Sequence, residues 1–132
     1  MERLQDRVAV ITGGASGIGL ATARRMAAEG AKVVVVDMND EAGEAAAGAV
    51  NGRYIHADVT SADDNDRMYA ETHAAFGQID IAFHNAGISP PDDDSILTTG
   101  LDVWRRVQEV NLTSVYLGCK AVLPYMQERG RG

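Results

Sequence analysis

Short β-branched runs alternate along this chain with longer stretches rich in alanine and charge. Residues 8–12 (Val-Ala-Val-Ile-Thr) predict a buried strand running into a glycine-rich turn, and residues 18–29 a helix stopped by Gly30. Residues 32–37 form a second strand that is almost wholly valine, the pattern of a strand covered on both faces. A second helix spans about 41–49, capped by Asn39 or Asp40, and its alanines allow close approach to a sheet. An Asn51-Gly52 turn leads to a third strand at 53–57. Ser61-Ala62-Asp63-Asp64 has the form of a capping box, with acids at the positive end of the helix dipole. Met68, Thr72 and Phe76 follow at four-residue steps until Gly77 ends that helix, and residues 79–84 predict a fourth strand. Beyond a loop at 88–101, Val103, Val107, Val110, Val115, Cys119, Val122 and Met126 recur at helical spacing. Pro124 kinks this last helix or marks its final turns.

Strict alternation of strands and helices predicts the α/β class: a Rossmann-type doubly wound parallel sheet with right-handed crossovers and helices on both faces. The expected strand order is 3-2-1-4, four strands against the six of a complete sheet. Such sheets bind ligands beyond the carboxyl ends of their strands, so chemistry is sought there.

Composition narrows the setting. The 132 residues suit one domain, and 45% hydrophobic with 23% charged residues describes a chain that folds. A net charge of −7 leaves no basic footprint for nucleic acid. The single cysteine, Cys119, cannot form an intrachain disulfide and fits a reducing compartment; we read it as a small buried hydrophobe. No apolar run precedes Val8, so no secretory signal is read, and the longest apolar run, 33–36, is too short to span a bilayer. A cytoplasmic protein without a membrane partner is expected. His56, His73 and His84 have no metal-ligand spacing among themselves or with Cys119, so no metal is expected, and Trp104 is assigned to the core.

The turn Thr12-Gly13-Gly14-Ala15-Ser16-Gly17-Ile18-Gly19 leaves the first strand and enters the first helix. Its G-x-x-x-G-x-G spacing departs from G-x-G-x-x-G, yet it meets the same demand: a sharp turn, close backbone approach to a pyrophosphate and free N–H groups at a helix start. An ordinary glycine-rich turn would look alike, and Asp37 tells them apart. It ends the second strand eighteen positions past Gly19, near the spacing at which a carboxylate accepts from an adenosine ribose. Two charge-assisted bonds there contribute about 1.5–3 kcal/mol each. A 2′-phosphate would instead meet a like charge, costing on the order of 4 kcal/mol at 4 Å and an effective dielectric near 20. Ser16, Met38 and Asn39 supply no cation to reverse this, so the cofactor expected is NAD rather than NADP.

With Asp58-Val59 after the third strand, Asn85-Ala86-Gly87 after the fourth and Asn111 in the last helix, the chain resembles the short-chain dehydrogenase/reductase family over essentially its whole length. The resemblance implies an NAD-dependent oxidoreductase that moves hydride between nicotinamide and a secondary alcohol or ketone, for example a 3-oxoacyl or hydroxysteroid-like small molecule. It implies that Asp58 and Val59 contact the adenine, that Asn85, Ala86 and Gly87 line the cofactor, and that Asn111 belongs to a proton relay and is the catalytic candidate here. The other expected cofactor contacts are Gly13, Ser16, Gly17, Ile18, Gly19, Asp37 and Met38. His84 stands where the family often has asparagine, a tolerated variation. The family's catalytic Ser and Tyr-x-x-x-Lys follow a fifth strand, so residues 1–132 read as a single NAD-binding domain truncated before it and inactive alone. A non-catalytic NAD-binding or sensing module is the alternative. Family members are commonly tetramers or dimers, so a homo-oligomer is expected at full length.

Tyr116 and Lys120 have the Tyr-x-x-x-Lys spacing, but on a regular helix Tyr116 lies about 140° from Asn111, so the pair is assigned to packing and solvent. The acids Asp92, Asp93 and Asp94 are read as a solvated turn; were they at the site mouth, they would disfavour anionic substrates. Ile79, Ile81 and Phe83 are expected on an uncovered sheet edge.

Overall fold

A computed structural model describes residues 2–132. Four parallel strands, β1 (Val8–Thr12), β2 (Lys32–Asp37), β3 (Arg53–His56) and β4 (Ile81–Phe83), form one sheet in the order β3-β2-β1-β4. Helices α1 (Gly17–Ala28), α2 (Asp40–Ala49) and α3 (Ala62–Phe76) alternate with them. The valine run explains itself: Val34 and Val36 face Ile55, Met68, Tyr69 and Val122, while Val33 and Val35 face Ala23, Ala46 and Ala47 on the other side. With two apolar faces to bury, the interior of β2, Val33 to Val36, leaves no room for a polar side chain, and the charged Lys32 and Asp37 stand at its ends.

Local chemistry sets the helix ends. Asn39 Oδ1 accepts from Ala42 N at 3.0 Å, which decides between the two candidate caps of α2, and Gly77, at φ +73°, stops α3 in the left-handed region. The capping box of α3 is only half formed. Ser61 Oγ accepts from Asp64 N at 3.1 Å, but Asp64 Oδ2 takes the Asp58 amide at 2.8 Å, binding the helix start to the turn that leaves β3.

Strand β4 is shorter than expected because side chains replace ladder partners at its ends. Asp80 Oδ2 accepts from Val8 N at 2.9 Å, and Thr12 Oγ1 accepts from Asn85 N at 3.0 Å. The strand stands at the sheet edge, yet Ile79 is fully buried in the cluster with Met68, Tyr69 and Val122, and Ile81 and Phe83 are half-buried, so the expected uncovered apolar row is only partial.

The last helix is not regular. It comprises α4 (Leu101–Gln108), a π-helical turn at Glu109–Thr113 and α5 (Ser114–Arg129). The five-residue step between Val110 and Val115 is that widened turn: Val103, Val107 and Val110 before it and Val115 after it are all half-buried. Pro124 lies on an exposed face and α5 continues past it to Arg129, where water can satisfy the carbonyl it leaves unpaired. Trp104 is 51% exposed, not core, and α4 buries none of its residues.

At the opposite end of the sheet from the glycine turn, Asp80 ties three segments together. Its side chain is 5% exposed, and Oδ1 lies 3.4 Å from Arg7, 3.0 Å from Arg129 and 3.3 Å from Arg131. Burial pushes its carboxyl up, but the Val8 amide, Arg129 and Arg7 outweigh that and hold it below the usual range. A depressed folded-state value means that the stabilisation is complete above the unfolded carboxyl's value, near 4, and is lost as pH falls through the folded one. Asp80→Ala, which leaves the arginines and the Val8 amide without their acceptor, is expected to cost about 3 kcal/mol in urea unfolding at pH 7, with the penalty shrinking below about pH 4.

Candidate dinucleotide site

A cleft of about 670 Å³ opens at the carboxyl ends of all four strands. The glycine turn supplies Gly13, Ser16, Gly17 and Ile18; β2 supplies Asp37 and Met38; the exit of β3 supplies Asp58 and Val59; that of β4 supplies Asn85, Ala86 and Gly87. Two expected residues do not line it. Gly19 lies beneath, and Asn111 stands behind Gly87 and Ile88.

The turn needs its glycines for separate reasons. Gly13 and Gly17 have φ of +63° and +53°, where a side chain is strained. Gly19 sits so close to the Gly13 carbonyl and Asn85 Nδ2 that a Cβ would strike both. Thr12 and Asn85 lock the turn against β4: Thr12 Oγ1 also accepts from Ala86 N at 3.1 Å, and Asn85 Nδ2 donates to the Thr12 and Gly13 carbonyls at 3.2 and 3.3 Å.

Helix α1 begins here without the devices that finish its neighbours. Ser16 makes no side-chain cap bond and the first turn has no acid, whereas α2 carries Asp40 and Glu41 and α3 carries Asp63 and Asp64. A helix start lacking both a cap bond and an acid, set on a cleft, is chemically suited to a phosphate.

Asp37 is held in place by backbone donors. Its Oδ2 accepts from Ala15 N at 3.2 Å, inside the glycine turn, and its Oδ1 accepts from Met38 N at 2.8 Å and Asn39 N at 3.1 Å. The acid and the turn are thus one hydrogen-bonded unit. Asp58 Oδ1 is taken by Thr60, from N at 2.9 Å and Oγ1 at 2.7 Å. Asn111 pairs both side-chain atoms with the Ile88 backbone, accepting at 2.7 Å and donating at 2.9 Å.

The structure adds residues that motif reading passed over. Val36, Ala57, Thr60 and Ile88 flank the expected ones, and Arg106, Glu109 and Val110 form the wall facing the sheet. Arg106 and Val110 share a helix face by their spacing, but nothing in the sequence alone turns that face toward the cleft.

Tyr116 does not line the cleft; it is 60% exposed, with Lys120 Nζ 5.8 Å from its ring centre. The 140° separation from Asn111 assumed a regular helix, and the π turn between them alters it. Asp92, Asp93 and Asp94 are exposed and do not line the cleft either. His84 does more than fill an asparagine position. Its ring packs over Gly118, with Nε2 3.0 Å from Tyr69 Oη and Nδ1 3.8 Å from Cys119 Sγ, and burial lowers its pKa. Cys119 is therefore only half-buried and has a polar neighbour.

A parallel sheet in the order 3-2-1-4, with a glycine turn and strand-end acids around one cleft, defines a Rossmann-type protein. The short chain dehydrogenase family model matches residues 7–132, and the chain belongs to that family. It is 44% identical to secoisolariciresinol dehydrogenase of Forsythia intermedia over 121 residues, covering 89% of this chain and 44% of the relative. It is 42% identical to 3-alpha-(or 20-beta)-hydroxysteroid dehydrogenase of Mycobacterium tuberculosis over 132 residues, covering 98% and 50%. The crystal structure of levodione reductase superposes with a TM-score of 0.93 at 39% identity, over 98% of this chain and 53% of that one. The chain thus spans about half the length of the curated relatives it matches. No helix among the described residues is long and apolar enough to cross a membrane.

The two glycines at the helix entry separate by experiment. Gly19→Ala is expected to lower stability by about 2–3 kcal/mol, since its Cβ meets fixed backbone. Gly17→Ala meets open space and bears only the left-handed backbone penalty, about 1–2 kcal/mol. Thermal unfolding of the two variants side by side checks the order.

Proposed function

We propose that this chain is the dinucleotide-binding part of an NAD-dependent oxidoreductase acting on a secondary alcohol or ketone, small molecules of the hydroxysteroid or 3-oxoacyl kind. The observation that carries the reading is the bond from Ala15 N to the Asp37 carboxylate at 3.2 Å, which joins the phosphate turn to the acid expected on the ribose. In this reading the start of α1 and the backbone of Gly13–Gly19 hold the pyrophosphate. Asp37 accepts from the ribose hydroxyls and repels a 2′-phosphate. Asp58 and Val59 border the adenine, with Val110 opposite. Nicotinamide, when bound, supplies the two-electron hydride chemistry. Asn85, Ala86 and Gly87 set the floor of the cleft beside it. Asn111, whose side chain is paired with the Ile88 backbone, serves a proton relay through its main chain, in the widened turn that shifts carbonyl partners. The Ser and Tyr-x-x-x-Lys of the family's chemistry are not supplied by these residues, so the chain alone binds without turnover. A cytoplasmic setting fits the single unpaired cysteine.

Calorimetry with NAD+ and NADP+ tests the cofactor. NAD+ is expected to bind about a hundredfold more tightly, and Asp37→Ala to narrow the gap to within about threefold. Tighter uptake of NADP+ by the unaltered chain would sink the reading.

We further propose a homo-oligomer through the outer side of the last helix. Leu112, Tyr116 and Leu123, each about half exposed or more, follow one another at four and seven residues, a spacing that returns to one helix side. Sedimentation is expected to show concentration-dependent association that Leu112→Glu abolishes.

A further inference from the structure

Asp37 is held from its carboxylate side by three amides, but its main chain is held by a separate group of side chains that no cofactor motif includes. Tyr54, on β3, lies across the end of β2. Its ring packs against α2 at Gly43, where a Cβ would collide with the ring carbons. Its hydroxyl is 2.9 Å from the Asp37 carbonyl and 2.7 Å from Asp40 Oδ1. The same carboxylate oxygen lies 2.7 Å from His56 Nδ1. The Asp37 carbonyl also takes Ala57 N at 3.2 Å.

One proton therefore serves two acceptors. Without it, the Asp37 carbonyl keeps only the Ala57 amide and the Asp40 carboxylate only the His56 ring, and nothing ties the end of β2 to the start of α2 on the Tyr54 side. The turn between β2 and α2 would then relax. Met38 and Asn39, whose amides hold Asp37 Oδ1, are the residues of that turn. We infer that Tyr54 is a positioning residue for cofactor choice: by bridging Asp37 and Asp40 over the gap at Gly43, it fixes the Asp37 carboxylate where a ribose hydroxyl is accepted and a 2′-phosphate refused. This rests on the NAD reading of Asp37 above. The Tyr54 hydroxyl, and after it the His56 ring, keeps the Asp40 carboxyl below its usual range, so the bridge is made to a charged acceptor at neutral pH.

The test is a double-mutant cycle read as the ratio of NAD+ to NADP+ affinity, measured by calorimetry on the 132-residue chain with melting temperatures recorded alongside. Tyr54→Phe is expected to lower the ratio about fivefold, the effect of one hydrogen bond. In an Asp37→Ala background the same substitution is expected to leave the ratio unchanged. Should Tyr54→Phe fail to fold, Gly43→Ala, which displaces the ring from its other side, supplies the same reading in both backgrounds. An unchanged ratio in the single variant overturns the inference, because a merely structural role weakens both dinucleotides in proportion. An equal fall with and without Asp37 overturns it too. Failure of the underlying reading looks different: an unaltered chain that shows no preference for NAD+, or binds neither dinucleotide, removes both.

Discussion

Where a parallel sheet ends, the backbone amides that leave its ladder must find other acceptors, and this requirement shapes the whole carboxyl edge of the protein. Each strand exit meets it with a side chain. Thr12 Oγ1 takes Asn85 N and Ala86 N; Asp37 takes Ala15 N, Met38 N and Asn39 N; Asp58 takes Thr60 N; Asn111 takes Ile88 N. These are largely the residues that a cofactor motif would name. The motif residues are therefore scaffold first: they clamp four independent turns into one rim, and the cleft is what that rim encloses. A substitution among them perturbs the rim before any ligand arrives, which is why ratios of two ligands report more cleanly on the site than single affinities do.

Much of this was legible in the sequence, and the reason is physical. A strand buried on both faces has no room for polar residues, so β1 and β2 announce their limits, and alternation with helices makes the sheet parallel. The glycines of the turn are equally plain, since left-handed backbone and close approach exclude other residues. What stayed hidden depended on choices between equal local options. Asp64 could close a capping box or take the Asp58 amide, and only the path of the chain between β3 and α3 favours the second. Val110 to Val115 is a five-residue step among threes and fours, but a helix can absorb it by drift or by a π turn, and the pattern alone does not say which. Trp104 reads as core by composition, yet α4 buries none of its residues and leaves Trp104 half exposed. Arg106 enters the cleft wall solely because the helix returns across the strand ends.

Net charge and local charge point in opposite directions, and the geometry resolves the conflict. A chain at −7 repels anions at long range, but that field is screened over about 10 Å in ordinary salt. At contact distance the arrangement of helix starts matters more. The acids at α2 and α3 are spent on their own dipoles, with Asn39 and Ser61 closing those ends, while α1 has neither acid nor cap bond beside the glycine turn. One helix start in three is thus left to an external anion, and the nearest acid to it, Asp37, is turned toward the Ala15 amide and the Met38–Asn39 turn. The proposed preference for a dinucleotide without a third phosphate follows from that division: a positive helix end for the diphosphate, and a pinned negative charge one turn away that leaves no place for another.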